Sequence, residues 1–245
     1  PPAGAEEDRA ERRRLAGTFQ QVTARVMAKG VEDTAFYVYN RLVSLNEVGG
    51  DPGRFGVSPD ALHRFCGERQ RAWPPALSPM STHDTKRSED VRARLDVLSE
   101  LPEAWGGAVR RWRRLNEPQR VRVDDLAVPD PNAEYLLYQT LVGVWPLEAD
   151  TAVEPLVSRV QAYMEKALHE AKVHTSWINP NEPYDDAVRE FVARILDPGR
   201  SRAFLDDFGT FQRRISHYGL FNSLSQTLLR IACPGAPDTY QGTET

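Results

Sequence analysis

The sequence of 245 residues has little of what would place it in a specialised class of protein. It has only two cysteines, Cys66 and Cys233, which lie far apart in unlike contexts, so it shows neither a disulfide framework nor a zinc site. No apolar run approaches the length of a membrane span. The formal net charge of −4 argues against a dedicated nucleic-acid binder. We therefore expect no metal, no cofactor, no nucleic acid and no membrane among its partners, and a reducing, cytoplasmic location.

What is present is the composition of a globular protein. Hydrophobic residues make up 40% of the chain and charged residues 27%, and the length suffices for a substantial core. The chain begins at Pro1 rather than at a methionine and stops in the string YQGTET, so we expect both ends to lie inside a longer protein. Residues 1–16 are rich in charge and predict a linker or a frayed helix.

Strand and helix patterns alternate in residues 17–98. The segment 17–30 mixes apolar side chains with threonine and glutamine between two glycines, and we interpret it as a strand. A helix opens after Ser58, which is a good N-cap before a proline, and ends near Gln70. The segment 75–80 (PALSPM) predicts a second strand in spite of its prolines. Such alternation indicates a parallel sheet or a barrel.

Residues 99–231 predict a large helical subdomain inserted between two strands. Apolar residues recur at helical spacing through most of this segment. The predicted helices cover 133–145, 155–172, 187–195, 204–215 and 220–229. Residues 232–245 contain two prolines and several glycines, which end the helical pattern, and predict a last strand.

The end of the second predicted strand carries the most suggestive chemistry. Ten consecutive polar residues begin at Ser81, and His83 and Asp84 lie among them. A carboxylate at a strand end can accept hydrogen bonds from sugar hydroxyls and stabilise positive charge at an anomeric carbon, and a neutral imidazole can donate to the same hydroxyls. Two plainer interpretations remain, since the pair can belong to a solvated loop and Asp84 can cap the helix that follows.

Three cations are weaker candidates. Lys86 and Arg87 can donate hydrogen bonds to sugar hydroxyls, or they can snorkel to water or pair with Glu89 and Asp90. Lys29 precedes a glycine in the string MAKGVEDT, where a surface turn is the plainer interpretation.

Some aromatic and basic residues are predicted to be structural, and others allow two interpretations. Trp112 is predicted to pack inward from the basic string RRWRRL, and His169 and His174 are spaced five apart, which suits a shared metal poorly. Three aromatic side chains can stack on sugar rings or pack in the core: Tyr37, Tyr39 and Trp177.

Several strings carry a resemblance to a known family. Residues 81–95 (STHDTKRSEDVRARL) resemble the signature of the α-amylase superfamily, glycoside hydrolase family 13, in which a His-Asp pair follows barrel strand seven. Residues 234–244 (PGAPDTYQGTE) resemble the segment of that family at strand eight. The longer strings 19–52 and 170–184 resemble the members of the family that form trehalose ends.

The resemblance implies an α/β fold that is mainly helical: the last strands of a (β/α)8 TIM barrel with a large helical insertion. It implies an isomerase that converts the reducing-end α-1,4 linkage of a maltooligosaccharide into an α,α-1,1 linkage. Asp84 would be a catalytic carboxylate. The substrate-binding residues would be His83, Lys29, Glu32, Lys86 and Arg87.

The resemblance also implies that two carboxylates are missing. In the family, the nucleophile and the general acid follow barrel strands four and five, and no segment here matches either signature. The chain would therefore need the missing N-terminal part of the same barrel as its partner and would be inactive alone. The alternatives are another family 13 α-glucan hydrolase or transglycosylase, and a non-catalytic helical module that binds carbohydrate or a protein. Carboxylate signatures upstream of this chain would favour an enzyme.

Overall fold

A computed structural model describes residues 4–147 and 153–240, and most of them are helical. The mainly helical character predicted from the sequence is confirmed. The first three residues of the predicted linker, residues 148–152 of the predicted insertion and residues 241–245 of the predicted last strand lie outside the described residues. The elements in chain order are α1 (Gly4–Met27), a π-helix (Ala28–Ala35), α2 (Phe36–Val38), a 3-10 turn (Val43–Leu45), α3 (Pro59–Ala72), β1 (Leu77–Pro79), α4 (Glu89–Glu100), α5 (Pro102–Asn116), a 3-10 turn (Glu117–Gln119), β2 (Val121–Val123), β3 (Leu126–Val128), α6 (Pro131–Val144), α7 (Val153–Ala171), α8 (Glu182–Leu196), α9 (Pro198–Ala232) and β4 (Ala236–Asp238).

The strand predicted at 17–30 is wrong, because this segment is helical throughout. Phe19, Val22 and Val26 are spaced three and four residues apart, so they lie along one face of α1. Each of these three side chains is more than half exposed, so this face of α1 is not buried as the apolar face of a core helix would be. The helix ends by widening into the π-helix, a form that often occurs at functional sites.

The helices predicted at 204–215 and 220–229 are one helix, α9, which runs 35 residues with a kink at Ser201. Gly219 separates the two apolar patterns in the sequence and suggests a break. In the structure it allows close packing instead, because a Cβ at Gly219 would lie 2.7 Å from Cγ and 3.0 Å from Cα of Arg94 on α4. The glycine therefore serves the contact between α4 and α9, and the helix continues through it.

The core of the helical part is built around Trp112, which is fully buried as predicted. Its indole lies edge-on to Tyr138 with ring centroids 5.4 Å apart, and its Nε1 donates a 2.7 Å hydrogen bond to Oδ2 of Asp207. Aromatic pairs at such angles add to the stabilisation that burial gives. Further aromatic rings complete the cluster: Trp105, Phe204, Phe208 and Phe211.

The strands β1 and β4 pair in parallel, with Leu77 opposite Ala236 and Pro79 opposite Asp238. More than 150 residues separate the two strands, so the segment from α4 to α9 is an excursion from this sheet. Gly235 leads into β4 at φ +122°, and a Cβ there would lie 2.6 Å from the carbonyl oxygen of Ala76. Glycine is required at this position because another residue would be strained and would collide with β1.

The excursion is not entirely helical, since β2 and β3 form a hairpin within it. Asp124 and Asp125 form its two-residue turn at φ +48° and +64°, the left-handed pair expected of a type I′ turn. The sequence prediction contained no such hairpin. The domain boundaries predicted at residues 16, 98 and 231 stay predictions.

Candidate functional site

The residues after β1 form a tight polar turn that exposes His83 and Asp84. The Thr85 hydroxyl donates to the carbonyl oxygen of Thr82 at 2.9 Å, and the N–H of Asp84 donates to the Thr82 hydroxyl at 3.3 Å. These contacts use the backbone and the threonines, so they leave the Asp84 carboxylate 59% exposed. The turn thus presents a carboxylate and an imidazole to the surroundings, which fits both interpretations of the sequence, a site at a strand end and a solvated loop.

The interpretation of Asp84 as a helix cap is wrong. The cap of α4 is Ser88, whose hydroxyl accepts a hydrogen bond from the N–H of Val91 at 3.5 Å. Nearer to β1, the buried Ser81 hydroxyl accepts from the N–H of Glu89 at 3.2 Å. Because other residues satisfy the helix start, the Asp84 side chain is not needed for it.

Glu47 holds the same loop from the side. Its Oε1 accepts a 2.8 Å hydrogen bond from the N–H of Lys86, and its Oε2 accepts from Nη1 of Arg92 at 3.0 Å. The Arg92 guanidinium also donates to the carbonyl oxygens of Met80 and Arg87. The carboxylate and the guanidinium together tie both ends of the turn to α4, which fixes where Asp84 lies.

Lys86, Asp33, Lys29 and Asp84 form a network of alternating charge. Nζ of Lys86 lies 3.0 Å from Oδ1 of Asp33 and 3.8 Å from Oδ1 of Asp84, and the Lys29 ammonium pairs with Oδ2 of Asp33. The hydrogen bond to Asp33 raises the pKa of Lys29, and the hydrogen bonds from Lys29 and Lys86 lower the pKa of Asp33. The structure therefore links Lys29 to Asp84, although Lys29 lies in the π-helix rather than after a strand.

Glu32 reaches the same region from another side of the π-helix. Its Oε1 accepts a 3.1 Å hydrogen bond from the N–H of Gly49. Gly49 lies two residues beyond Glu47, which contacts the loop of Lys86. Glu32 therefore packs on the segment that supports the site, and its role toward a substrate stays a prediction.

Arg87 is engaged by the protein and does not pair with Glu89 or Asp90 in the way the plainer interpretation expected. Its Nη1 donates to the carbonyl oxygen of Val43 at 3.1 Å, and its Nη2 donates to the Tyr163 hydroxyl at 2.7 Å. The guanidinium also lies 5.8 Å from the centroid of the Tyr163 ring. These contacts attach the site loop to α7.

The three open aromatics differ in their surroundings. Tyr37 is buried, and this burial raises its pKa to about 12, so it is a core residue. Tyr39 is 46% exposed. Trp177 is 55% exposed, stands edge-on to His169 at 4.4 Å, and donates from Nε1 to Oε1 of Glu170 at 3.2 Å. Tyr39 and Trp177 keep accessible ring surface, and Tyr37 does not.

His169 and His174, whose spacing suits a shared metal poorly, contact different carboxylates. Nε2 of His169 lies 2.9 Å from Oδ2 of Asp185, and Nε2 of His174 lies 3.5 Å from Oδ2 of Asp130. Each histidine thus has its own carboxylate. Among residues 4–147 and 153–240, no group of three or more histidine, cysteine, aspartate or glutamate side chains is arranged to hold a metal ion. Over the same residues, no helix has both the length and the hydropathy needed to cross a bilayer.

Two residues of the site were missed by the sequence interpretation, Asp33 and Glu47. Asp33 lies four residues after Lys29, the spacing at which opposite charges meet on a helix. This spacing is present in the sequence, but it predicts a contact only in a helix, and Lys29 was assigned to a strand. Glu47 offered no local signal, because its partners lie on a distant segment.

A cavity of about 890 Å³ lies away from this site, between α4, α9 and residues 42–56. It is lined partly by Asp96, Tyr218 and Phe221, and no predicted site residue lines it. Its size therefore says nothing about the chemistry at Asp84, which the polar turn after β1 presents openly.

The chain was compared with protein-family models, curated proteins and solved structures. No family model matches. A protein of Mycobacterium tuberculosis (strain CDC 1551 / Oshkosh) described as a putative maltooligosyl trehalose synthase is 39% identical over 225 residues, which is 92% of this chain and 28% of that protein. The chain thus spans little more than a quarter of the length of the curated relatives it matches.

Solved structures show the same relationship. A DSM5389 glycosyltrehalose synthase is 40% identical, with a TM-score of 0.79 over 93% of this chain and 29% of that one. A hypothetical maltooligosyl trehalose synthase of Sulfolobus tokodaii is 38% identical, with a TM-score of 0.78 over 91% of this chain and 29% of that one. By sequence and by fold, this chain is therefore a homologue of one segment of the maltooligosyl trehalose synthases.

Proposed function

We propose that this chain is part of an enzyme that converts the reducing-end α-1,4 linkage of a maltooligosaccharide into an α,α-1,1 linkage, so that the product ends in a trehalose unit. The observation that carries the proposal is the similarity to maltooligosyl trehalose synthases over 92% of the chain. The turn after β1 supports it, because it presents the exposed carboxylate of Asp84 beside the ammonium of Lys86. The retaining chemistry of glycoside hydrolase family 13 is part of the same proposal.

In this proposal Asp84 stabilises the positive charge that develops at the anomeric carbon in the transition state. His83 donates a hydrogen bond to a sugar hydroxyl from the neighbouring position. Lys29 and Glu32 hold the released glucose while it turns, and Lys86 orients the sugar bound at Asp84. Arg87 shapes the loop through its bonds to Val43 and Tyr163.

We further propose that β1 and β4 are two strands of an incomplete (β/α)8 barrel. Parallel sheets are normally covered on both faces, yet Leu77 of β1 is 67% exposed and every residue of β4 is exposed. Within the described part of the chain, β1 and β4 pair only with each other. The remaining barrel would also cover the exposed apolar side chains on α1 and α9: Leu15, Phe19, Val22, Val26, Met27, Leu220, Phe221, Leu224 and Leu228.

The remaining barrel would also supply the nucleophile and the general acid, since retaining glycoside chemistry needs two carboxylates on opposite sides of the bond. The chain alone is then inactive. We also place the enzyme in the cytoplasm. The low cysteine content of the sequence supports this, because a disulfide framework is typical of oxidising compartments. The two cysteines, which lie 167 residues apart in the chain, come together in the structure with sulfur atoms 3.7 Å apart.

The proposal is tested by incubating the complete gene product that contains this chain with maltopentaose. Loss of reducing ends at constant chain length, with an α,α-1,1 linkage in the product by NMR, is the expected result. Release of glucose or maltose alone would contradict the isomerase and favour the hydrolase. Binding of maltopentaose without any turnover would favour a carbohydrate-binding module.

A further inference from the structure

The carboxylate of Asp33 lies between two lysines that come from different parts of the chain. Its Oδ1 accepts a 3.0 Å hydrogen bond from Lys86, which is 53 residues away, and its Oδ2 accepts from Lys29 on the same π-helix. The Asp33 side chain is 25% exposed, and the two lysines differ greatly, since Lys86 is 9% exposed and Lys29 is 80% exposed. One carboxylate thus joins a nearly buried cation to an exposed one.

Lys86 is held at both ends. Its N–H donates to Glu47, and its ammonium donates to Asp33. The nearest other carboxylate is that of Asp84, with Oδ1 at 3.8 Å, beyond hydrogen-bonding distance. A nearly buried ammonium needs a partner. If the Asp33 carboxylate were lost, the ammonium would turn to Asp84, which is its remaining anionic neighbour in the described structure.

We propose that Asp33 is a positioning residue, which draws the Lys86 ammonium off Asp84 and holds Lys29 beside the site. This inference rests on the proposed function, in which Asp84 acts on the sugar. A carboxylate bonded closely to its own lysine has less negative charge to offer to a developing cation. Asp33 therefore keeps Asp84 available, although Asp33 itself does not touch the sugar.

The backbone around Asp33 is held by contacts that do not involve its carboxylate. The Thr34 hydroxyl donates to the carbonyl oxygen of Lys29 at 2.9 Å and accepts from the Lys172 ammonium at 3.2 Å. The π-helix is thereby attached to the end of α7. An Asp33→Asn variant keeps these contacts and the shape of the side chain, so we expect it to fold.

The activity test uses Asp33→Asn in the complete gene product with maltopentaose. We expect kcat to fall by up to about 100-fold, since a small displacement of catalytic groups has effects of that order, with a melting temperature at neutral pH only slightly below that of the wild type. Asp206→Asn is the matched control, because Asp206 also pairs with a basic residue four positions away, Arg202, on the exposed side of α9. That variant is expected to match the wild type, and Asp33→Glu is expected to recover part of the loss.

A double variant distinguishes action through Lys86 from an independent effect. If Asp33 acts through Lys86, the variant Asp33→Asn with Lys86→Met loses no more kcat than Lys86→Met alone. Losses that multiply would overturn the action through Lys86, and wild-type kcat in Asp33→Asn would overturn the whole proposal. A wild-type protein that forms no trehalose-ended product would instead refute the proposed function.

A chemical measurement tests the contacts of Asp33 even if the wild-type protein forms no trehalose-ended product. Lysine labelling by reductive methylation, read by peptide mass spectrometry, reports how firmly each ammonium is held. In Asp33→Asn, we expect Lys29 to label faster than in the wild type, because it loses its carboxylate partner, and the exposed Lys166 to label at the same rate. Unchanged labelling of Lys29 would show that Asp33 does not hold it and would overturn that part of the proposal.

Discussion

Oε1 of Glu47 accepts a 2.8 Å hydrogen bond from the backbone N–H of Lys86, which lies 39 residues further along the chain. The bond joins the loop after β1 to the segment after α2. Asp84 lies two residues before Lys86, so its position depends on this contact as much as on the strand that precedes it. A carboxylate that binds main-chain N–H groups is less easily replaced than an exposed ion pair.

Replacing Asp84 with asparagine tests the proposed charge stabilisation. The variant keeps the shape of the side chain and removes its negative charge, so we expect kcat on maltopentaose to fall by a factor of about 100 to 1,000. The side chain is 59% exposed, so the melting temperature should not change. Near-normal turnover of the complete protein would remove the support for this role.

Replacing Lys29 with alanine tests the hold on the released glucose. A plain hydrolase can use water in place of the sugar acceptor, so loss of an acceptor contact should divert the reaction to hydrolysis. We expect less trehalose-ended product and more free glucose, measured together by chromatography. Equal losses of both products would point to a general defect, and no change in either product would show that Lys29 does not contact the sugar.

Replacing Glu47 with alanine tests the support of the site loop. The change leaves the N–H of Lys86 and the Arg92 guanidinium without their acceptor, which should lower the free energy of unfolding by about 1–3 kcal/mol. We also expect a lower kcat, because Asp84 loses its fixed position. Chemical denaturation and initial rates provide the two measurements.

The control for this variant is Glu100→Ala, at the exposed end of α4. It should unfold like the wild type. If Glu47→Ala is as stable and active as that control, the loop does not depend on Glu47.

The pH dependence of the Lys29–Asp33 pair follows from two opposite shifts. Hydrogen bonding lowers the pKa of Asp33 from 3.8, so its contribution to stability is present above that value and is lost as the pH falls through the lower folded value. The pKa of Lys29 is raised from 10.5, so its contribution is present below 10.5 and is lost as the pH rises through the higher folded value.

We therefore expect the difference in melting temperature between the wild type and Asp33→Asn to be small and constant between about pH 5 and pH 9. It should shrink when the pH falls below 3.8. A difference that disappears near neutral pH would show that another group controls the pair. Thermal scans across this range provide the measurement.

The location of the helices and of the strand end could be predicted from the sequence. Apolar spacing predicted α6, α7 and α8, the N-cap Ser58 predicted α3, and the string PALSPM predicted β1 with His83 and Asp84 after it. These features depend on residues close together in the chain, where side-chain period and capping act directly. The long strings that resemble a known family pointed to the relatives that the comparisons found.

The segment 17–30 was misread because its apolar face is exposed in this chain. Its residue types include several that favour strands, and propensity is a weak guide where packing does not decide. The role of Gly219 was hidden for a related reason. A glycine between apolar patterns suggests a break, and only its approach to Arg94 explains why the helix continues.

The sequence by itself determined most of the helices, the strand before His83 and the residue types available for chemistry, since these are local properties. Only the tertiary structure decided which charges meet. Asp33 and Lys86 are 53 residues apart, and no pattern in the chain pairs them. Their contact exists because the π-helix and the loop after β1 are held together by Glu47, Arg87 and the end of α7. A charge network of this kind depends on distances of a few ångströms, which only packing sets.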